Sequence, residues 1–261
     1  MADVIVVAGT ADGRQIVSEL AKLNIKVAAT VTSKFGSELL MEYPGVEVHE
    51  GKLTSEGMVS LIQRLHARCL VDASHPYARE ASLNAAAACE KAGIPYLRFE
   101  RRETATGHEG VIRVRSFEEA AEKLASFKGN ILLTIGSNNL KLFTRKIPDY
   151  KKRLFVRVLP ESGVVAKCEE AGLSPGNIIA MKGPFSEEMN AAMLRHCSAS
   201  VMVTKDGGEA GGTMEKLAAA RKLGIPVILV QRPEVSYKMK ADTIGKVIEF
   251  VKQQLAAEAK E

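Results

Sequence analysis

Residues 70–92 read LVDASHPYAREASLNAAAACEKA, a strand that passes through a polar turn straight into a helix. Leu70 and Val71 belong to a buried-type strand, Ser74-His75-Pro76-Tyr77 forms the turn, and an alanine-rich helix occupies Arg79–Ala92. Pro76 restricts His75 to extended conformations, so the imidazole is presented from the strand end and cannot join the helix. In an open α/β sheet, ligands bind outside the carboxyl ends of the strands, where loops and helix N-termini supply donors. The chemistry is expected at this junction.

The same alternation runs outward in both directions. In the first half, strands are expected at Val4–Ala8, Lys26–Val31, Val46–His49, Cys69–Ala73 and Tyr96–Phe99, with helices at Asp12–Leu23, Ser37–Tyr43, Ser55–His66 and Arg79–Ala92. The second half repeats the pattern, with strands at Ile131–Thr134, Leu154–Val158, Asn177–Met181, Ser200–Val203 and Pro226–Val230. Its helices are expected at Ser116–Ser126, Asn138–Phe143, Gly163–Ala171, Ser186–Cys197 and Gly212–Leu223. Short connections between alternating elements predict an α/β fold: two Rossmann-like domains with parallel sheets and an interdomain cleft. Glu100–Gly110 (ERRETATGHEG) is charged and poor in periodic apolar residues, which puts the domains at 1–103 and 111–261. The tail Lys240–Glu261 reads as an amphipathic helix that caps a domain. AGIPYL (92–97) and LGIPVIL (223–229) share a helix-Gly-Ile-Pro-strand junction, which glycine's left-handed cap and proline's place at a strand start suffice to explain.

With 261 residues, 46% hydrophobic and 26% charged, the composition is that of an ordinary globular protein. No apolar run approaches the ~20 residues a bilayer span needs, and MADVIVVAG enters a strand without a basic leader, so a cytoplasmic protein without membrane contact is expected. Cys69, Cys89, Cys168 and Cys197 are widely spaced, with no C-x-x-C and no histidine at ligand spacing, which argues for plain thiols and against a metal site. The net charge of +5 favours an anionic partner. Without tryptophan or a basic block interleaved with aromatics, a small anion fits better than nucleic acid. A monomer or small homo-oligomer is expected.

Several strand ends carry candidate chemistry. Ala8–Arg14 (AGTADGR) has glycines at Gly9 and Gly13 but no G-x-G-x-x-G, and reads either as a phosphate loop or as a structural turn. Val31–Lys34 (VTSK) places the hydroxyls of Thr32 and Ser33 and a cation where NAD-binding folds carry an acid. That leans to the 2′-phosphate of NADPH, with NADH the other option and an exposed polar loop the plainer reading. At the His-Pro junction, Asp72 can cap the turn, Ser74 can offer a hydroxyl to a carboxamide or ribose, His75 is the site candidate, and Asn84 can face the same crevice. In the second half, TIGSNN (134–139), MKGPFS (181–186) and TKDGGEAGGT (204–213) follow strands. Gly136, Ser137, Gly183, Gly207 and Gly208 can expose amides there, while Arg157, Lys182, Lys205 and Lys216 add positive charge. This is an anion-binding face or a set of solvated loops. No Ser-His-Asp spacing, nucleophile elbow, Walker A loop or H-E-x-x-H is present, which disfavours hydrolase and zinc chemistry.

Taken in order, AGT (8–10), VDASHPYA (71–78), YLRFERR (96–102), LLTIG (132–136), RVLP (157–160), KGPFSEEMN (182–190), VTKDGG (203–208), GGTMEK (211–216) and GIPVILVQRP (224–233) resemble the precorrin-6A reductase family of cobalamin biosynthesis. The resemblance covers residues 4 to about 233. It implies NADPH- or NADH-dependent reduction of a double bond in the macrocycle of precorrin-6A, or its cobalt form, to give precorrin-6B. It also implies a dinucleotide-binding first domain, using Gly9, Thr10 and Arg14, with Thr32 or Ser33 near the adenosine ribose and Asp72, Ser74 and His75 near the nicotinamide. The second domain would bind the polycarboxylate tetrapyrrole through Gly136, Ser137, Arg157, Lys182, Gly183, Lys205, Gly207, Gly208 and Lys216. A proton must reach the atom next to the hydride acceptor, and His75, Tyr77 and Asp206 are the titratable candidates. His75 is expected to orient cofactor or substrate. Ala8 stands where many relatives carry glycine. The competing classes are a two-domain nucleotide-sugar or phosphate-transfer enzyme, and a non-catalytic tetrapyrrole- or nucleotide-binding module.

Overall fold

Strand residues alternate between two apolar faces with the period of two that a doubly covered parallel sheet demands. Val4 and Val6 pack into one core with Val27, Ala29, Val31, Cys69 and Val71. Ile5, Ala28 and Leu70 point to the other. The computed structural model describes residues 1–100, 110–208, 211–233 and 235–257. In chain order the strands are β1 Val4–Val7, β2 Val27–Val31, β3 Glu47–Glu50, β4 Cys69–Asp72, β5 Tyr96–Phe99, β6 Val111–Val114, β7 Asn130–Leu133, β8 Leu154–Val158, β9 Ile178–Ala180, β10 Ala199–Lys205, β11 Val227–Val230 and β12 Lys240–Ala241. The helices are α1 Ala11–Lys22, α2 Lys34–Met41, α3 Ser55–Leu65, α4 Arg79–Ala92, α5 Phe117–Ala125, α6 Leu140–Lys146, α7 Tyr150–Arg153, α8 Ser162–Glu170, α9 Glu187–His196, α10 Thr213–Lys222 and α11 Ile244–Ala257. Two compact units result, Met1–Arg102 with Glu234–Glu261, and Glu103–Pro233. Of the expected boundary at Glu100–Gly110, residues 101–109 lie outside the described residues.

The first unit's sheet runs β3-β2-β1-β4-β5-β12, parallel at every pairing. This is the 3-2-1-4-5-6 order of dinucleotide-binding folds, with the sixth place filled by a strand from the chain's far end. The tail therefore does not belong with residues 111–233, and its helix begins at Ile244, not Lys240. Lys240 and Ala241 pair with Arg98 and Phe99. Val247, Phe250 and Val251 of α11 complete the core on the α1 face. The physical reason is that β5 would otherwise present an open edge, and the apolar stripe of α11 finds cover only on this sheet.

The second unit's sheet runs β6-β11-β10-β7-β8-β9, again parallel throughout. Strand β6, not expected from the sequence, is a half-exposed edge of four residues. Helices α9 and α10 cover one face through Ala191, Leu194, Leu217 and Ala220 against Leu132, Met202 and Val227. Strand order reverses between β1 and β4 in the first sheet and between β7 and β10 in the second. In an open α/β sheet such a reversal is where a ligand crevice forms at the carboxyl edge. All four cysteines are buried free thiols. Among the described residues, no helix is long and apolar enough to cross a membrane.

Three helices of the first unit start alike. Thr10, Ser33 and Thr54 cap α1, α2 and α3, each accepting the N–H of a glycine three residues on, Gly13, Gly36 and Gly57. At Gly13 the glycine is also a steric requirement, because an added Cβ would sit 2.7 Å from Ala8 Cα. Backbone meets backbone there, so neither side can yield cheaply. Gly13→Ala should destabilise the protein by about 1–3 kcal/mol, as overpacking does. Gly9→Ala, whose added Cβ would have nothing within 4 Å, should leave the thermal midpoint unchanged. Equal midpoints for the two variants in calorimetry would contradict this geometry.

Candidate functional site

The crevice of the first unit is assembled from strand ends. Gly9 follows β1, Thr30 to Thr32 end and follow β2, Gly51 follows β3, and Ser74 and His75 follow β4, with Leu53, Met58, Ala78 and Ala81 closing it. None of these lining residues is acidic, and the N-terminus of α1 opens beside them, so the crevice suits a phosphate-bearing ligand. The sequence AGTADG keeps the spacing of the dinucleotide fingerprint. Ala8 and Thr10 replace its first two glycines, and Gly13 stands in the third place, where close helix–strand packing needs it. Thr10 uses its hydroxyl internally: Oγ1 accepts from Gly13 N–H (3.0 Å) and donates to Ala73 carbonyl (2.8 Å), tying α1 to the end of β4. Ser33 likewise spends its hydroxyl on the α2 cap, while Thr32 reaches the crevice. Arg14 lies in the first turns of α1, half-buried and outside the crevice lining. Asn84 donates to the Leu53 carbonyl (3.3 Å), bracing the crevice wall.

The floor beneath His75 is a buried polar network that the sequence did not reveal. Asp72, fully buried, accepts from Ser74 N–H (2.9 Å) and Tyr96 hydroxyl (2.7 Å) and pairs with Arg98 Nη1 at 3.0 Å. Arg98, 1% exposed, also donates to Ser74 Oγ (3.0 Å) and Ser82 Oγ (3.3 Å). Asp72 is thus no ligand contact: burial removes it from reach, and it shapes the turn from below. Burial alone pushes its carboxyl up, but Arg98 and the serine hydrogen bonds outweigh that and hold it below the usual range. Burial, and then the Asp72 carboxylate, push the Tyr96 phenol up. Ser74 keeps a place in the crevice lining although its hydroxyl serves the network. His75 Nδ1 accepts from Tyr77 N–H (3.3 Å), and the Tyr77 ring lies 5.6 Å away.

In the second unit the candidate loops stand on one carboxyl edge, because β7, β9 and β10 are parallel. Gly136 turns with φ +81°, the left-handed region glycine favours, and Ser137 follows it. Lys182 is exposed beyond β9 beside Gly183. Of the loop 204–213, residues 209 and 210 lie outside the described residues. Asp206 is 6% exposed, accepts from Gly208 N–H (3.1 Å) and lies 3.7 Å from Arg232 Nη2. It braces the loop and is poorly placed as a proton donor. Gly207 N–H donates to Thr213 Oγ1 (3.1 Å), and Lys216 Nζ donates to the Gly211 carbonyl. Arg157 Nη1 donates to Asn190 Oδ1 (2.7 Å), and its guanidinium lies 4.5 Å over the Phe185 ring. Burial lowers Arg157 to about 10, and it lowers Lys205 as well. Lys216 falls to about 7, through burial first and then the charges of Arg157 and Lys205.

The residues missed at the level of sequence are Arg98, Tyr96, Ser82, Asn190 and Arg232. A signal existed for the first: an arginine between Leu97 and Phe99 of a central strand needs a buried partner, and Asp72 is its register neighbour on β4. Asp72→Asn should leave the buried Arg98 charge with only Glu100, 4.0 Å from its Nη2, as a carboxylate partner, at a cost of about 3–5 kcal/mol. Because the Asp72 carboxyl is depressed in the folded chain, its stabilisation is present above the ordinary aspartate range and lost as pH falls through the lowered value. Thermal melts at neutral and acid pH should therefore show Asp72→Asn far below wild type at neutrality, with the gap narrowing in acid. A constant gap would refute the assignment.

Comparison with known proteins gives the same direction. The family model described as precorrin-6x reductase CbiJ/CobK matches residues 3–252. The cobalt-precorrin-6A reductase of Methanothermobacter thermautotrophicus is 43% identical over 91% of this chain and 79% of its own. The cobalt-precorrin-6A reductase of Priestia megaterium is 37% identical over 96% and 98%. A solved CobK precorrin-6A reductase superposes with a TM-score of 0.79 at 25% identity, covering 97% of this chain and 98% of that one. This chain belongs to the precorrin-6x reductase CbiJ/CobK family.

Proposed function

We propose that this protein is an oxidoreductase of cobalamin biosynthesis that reduces one double bond of cobalt-precorrin-6A, or of precorrin-6A, with a nicotinamide dinucleotide, NADPH in preference to NADH. The observation that carries the cofactor half is the crevice at the β1/β4 reversal of a 3-2-1-4-5-6 sheet, walled by Gly9, Thr32, Ser74 and His75. The residues present fit such a group: the Cβ position of Gly9 is open, and α1 starts two residues on at Ala11. The bound cofactor supplies the hydride.

Gly9 and the amides after Thr10 hold the pyrophosphate, and Arg14 adds charge to that end. Thr32, Ser33 and the exposed Lys34 replace the acid of NAD-specific sites, which supports a 2′-phosphate. His75 lines the crevice and orients the cofactor or the substrate. With Asp206 tied to Arg232, His75 and Tyr77 are the side chains left for a proton, and water or the substrate itself can serve instead. The second unit holds the macrocycle on its carboxyl edge, through Gly136, Ser137, Lys182, Gly183, Gly207 and Gly208 together with its buried cations. A cytoplasmic setting belongs to this reading, supported by four buried free thiols.

The deciding assay follows NADPH and NADH oxidation by absorbance, with precorrin-6A and with its cobalt form. Oxidation with one macrocycle and a lower KM for NADPH are expected, and no oxidation with either sinks the reading. In the same assay His75→Ala should lower kcat/KM by about ten- to a hundredfold, the scale of lost orientation. Complete loss of turnover with both ligands still bound would instead make His75 indispensable.

A further inference from the structure

Four consecutive backbone groups are bonded where β4 passes into the crevice wall. The Asp72 carbonyl accepts from Arg98 Nη1 (3.4 Å), and Ala73 N–H donates to the Val7 carbonyl (3.1 Å). The Ala73 carbonyl accepts from Thr10 Oγ1 (2.8 Å), and Ser74 N–H donates to the Asp72 carboxylate (2.9 Å). Side chains continue the restraint. Ser74 Oγ lies 3.1 Å from Ser82 Oγ, and both accept from Arg98 Nη1, so the turn and α4 share one donor. Helix α4 begins after Ala78 without a side-chain cap, and this link stands in for one in fixing the helix start, whose Ala78 and Ala81 line the crevice.

Stability does not account for the arrangement. Apolar side chains of similar volume often match or better a buried ion pair, and this pair is incompletely satisfied. Glu100 stands 4.0 Å from Arg98 Nη2, and among the described residues Arg98 Nε has no acceptor. What charged, directional bonds supply, and apolar packing does not, is a single geometry for the groups they hold. Here those groups are Ser74 and His75, which line the crevice, whereas Tyr96, Ser82, Arg98 and Tyr237 stand outside its lining. Tyr96 donates its hydroxyl to Asp72 (2.7 Å), and Tyr237 stacks on the Tyr96 ring at 6.1 Å between centroids, with the Arg98 guanidinium 5.6 Å from its own.

We propose that Tyr96, Ser82, Arg98 and, from the far end of the chain, Tyr237 are positioning residues for the dinucleotide. Acting through Asp72 and Ser74, they set where the Ser74-His75 turn stands in the crevice wall, and they do so without touching the ligand. This rests on the reading of the first unit's crevice as the cofactor site. It assigns nucleotide affinity, and not the chemical step, to a network that joins β4, β5, α4 and the segment before β12.

The test measures NADPH affinity by its fluorescence, KM for NADPH and kcat in the macrocycle assay, and a thermal midpoint for each variant. Tyr96→Phe keeps the ring and removes one donor to Asp72. It should weaken NADPH by about three- to tenfold in both affinity and KM, with kcat at saturating NADPH within about twofold of wild type. Ser82→Ala, which unties the turn from α4, should do the same. Tyr237→Ala should weaken NADPH on that scale too, and Tyr237→Phe, which restores the ring, should restore the affinity. A network serving stability alone would lower the midpoints and leave the KM of the folded variants at wild type, and that result overturns the proposal. So does a loss of kcat with KM unchanged. Thr32→Glu is the control inside the crevice, where a carboxylate repels the nucleotide's phosphates and should weaken NADPH by about tenfold or more. Weakening in Thr32→Glu with wild-type values in Tyr96→Phe and Tyr237→Ala leaves the cofactor site standing and ends the positioning role. Wild-type affinity in Thr32→Glu ends the cofactor reading of the crevice, and the proposal with it.

Discussion

A buried aspartate–arginine pair closes the carboxyl end of the reversal-point strand in each unit, and the loops that carry the chemistry hang from it. In the first unit Asp72 ends β4 and meets Arg98 of β5; in the second Asp206 follows β10 and meets Arg232 just beyond β11. Both pairs span 26 residues. In both, the arginine donates to the backbone carbonyl of its aspartate, and the aspartate accepts the N–H two residues on, from Ser74 or Gly208. A charge this deep is tolerable only when paired and hydrogen-bonded, so each arginine dictates the aspartate, and each aspartate dictates the turn. The halves repeat a bonded device at the place where an open α/β sheet binds its ligand, beyond the shared Gly-Ile-Pro junction.

The pair also explains why the chain's tail returns to the first unit. Arg98 N–H donates to the Met239 carbonyl (3.1 Å), Lys240 is its register neighbour, and its guanidinium lies 5.6 Å over the Tyr237 ring, which stacks on Tyr96. Strand β12 and the aromatic residue before it thus cover the charged network from the edge. Without that cover Arg98 would meet solvent, and the electrostatic hold on Asp72 would weaken. The tail is a working part of the crevice floor, at one remove.

The same network marks the limit of what local sequence makes legible. Periodicity is a local property, so the βα alternation, most strand positions and the His-Pro junction were legible from residues a few places apart. Strand β12 is two residues long, and its partner lies about 140 residues earlier, so nothing local marks it. Asp72 ends a strand and Asp206 follows one, both in polar company where an aspartate usually faces water; their burial depends on an arginine 26 residues on. Gly13 was visible, but its necessity was not, because the clash that requires it is with the Ala8 backbone. Gly9, Thr32, Ser74 and His75, read from the sequence as cofactor contacts, line the first unit's crevice, since strand-end position brings them there.

On the shared frame the two units diverge immediately after the aspartate. Beyond Asp72 come Pro76 and an alanine-rich helix, giving a crevice lined without acids; beyond Asp206 come glycines and a helix bearing Lys216. That lysine carries a cost which the fold itself limits. In the unfolded chain its amine stays protonated up to the ordinary lysine range, whereas the folded chain gives up the proton near 7, so stability rises with pH between those values and the full penalty applies below about 7. The Glu215 carboxylate favours the charged form, but burial and the charges of Arg157 and Lys205 outweigh it. Burial and like charge thus set the state of this lysine, which separates the second unit's edge from the charge-balanced floor of the first, where Asp72 and Arg98 pair.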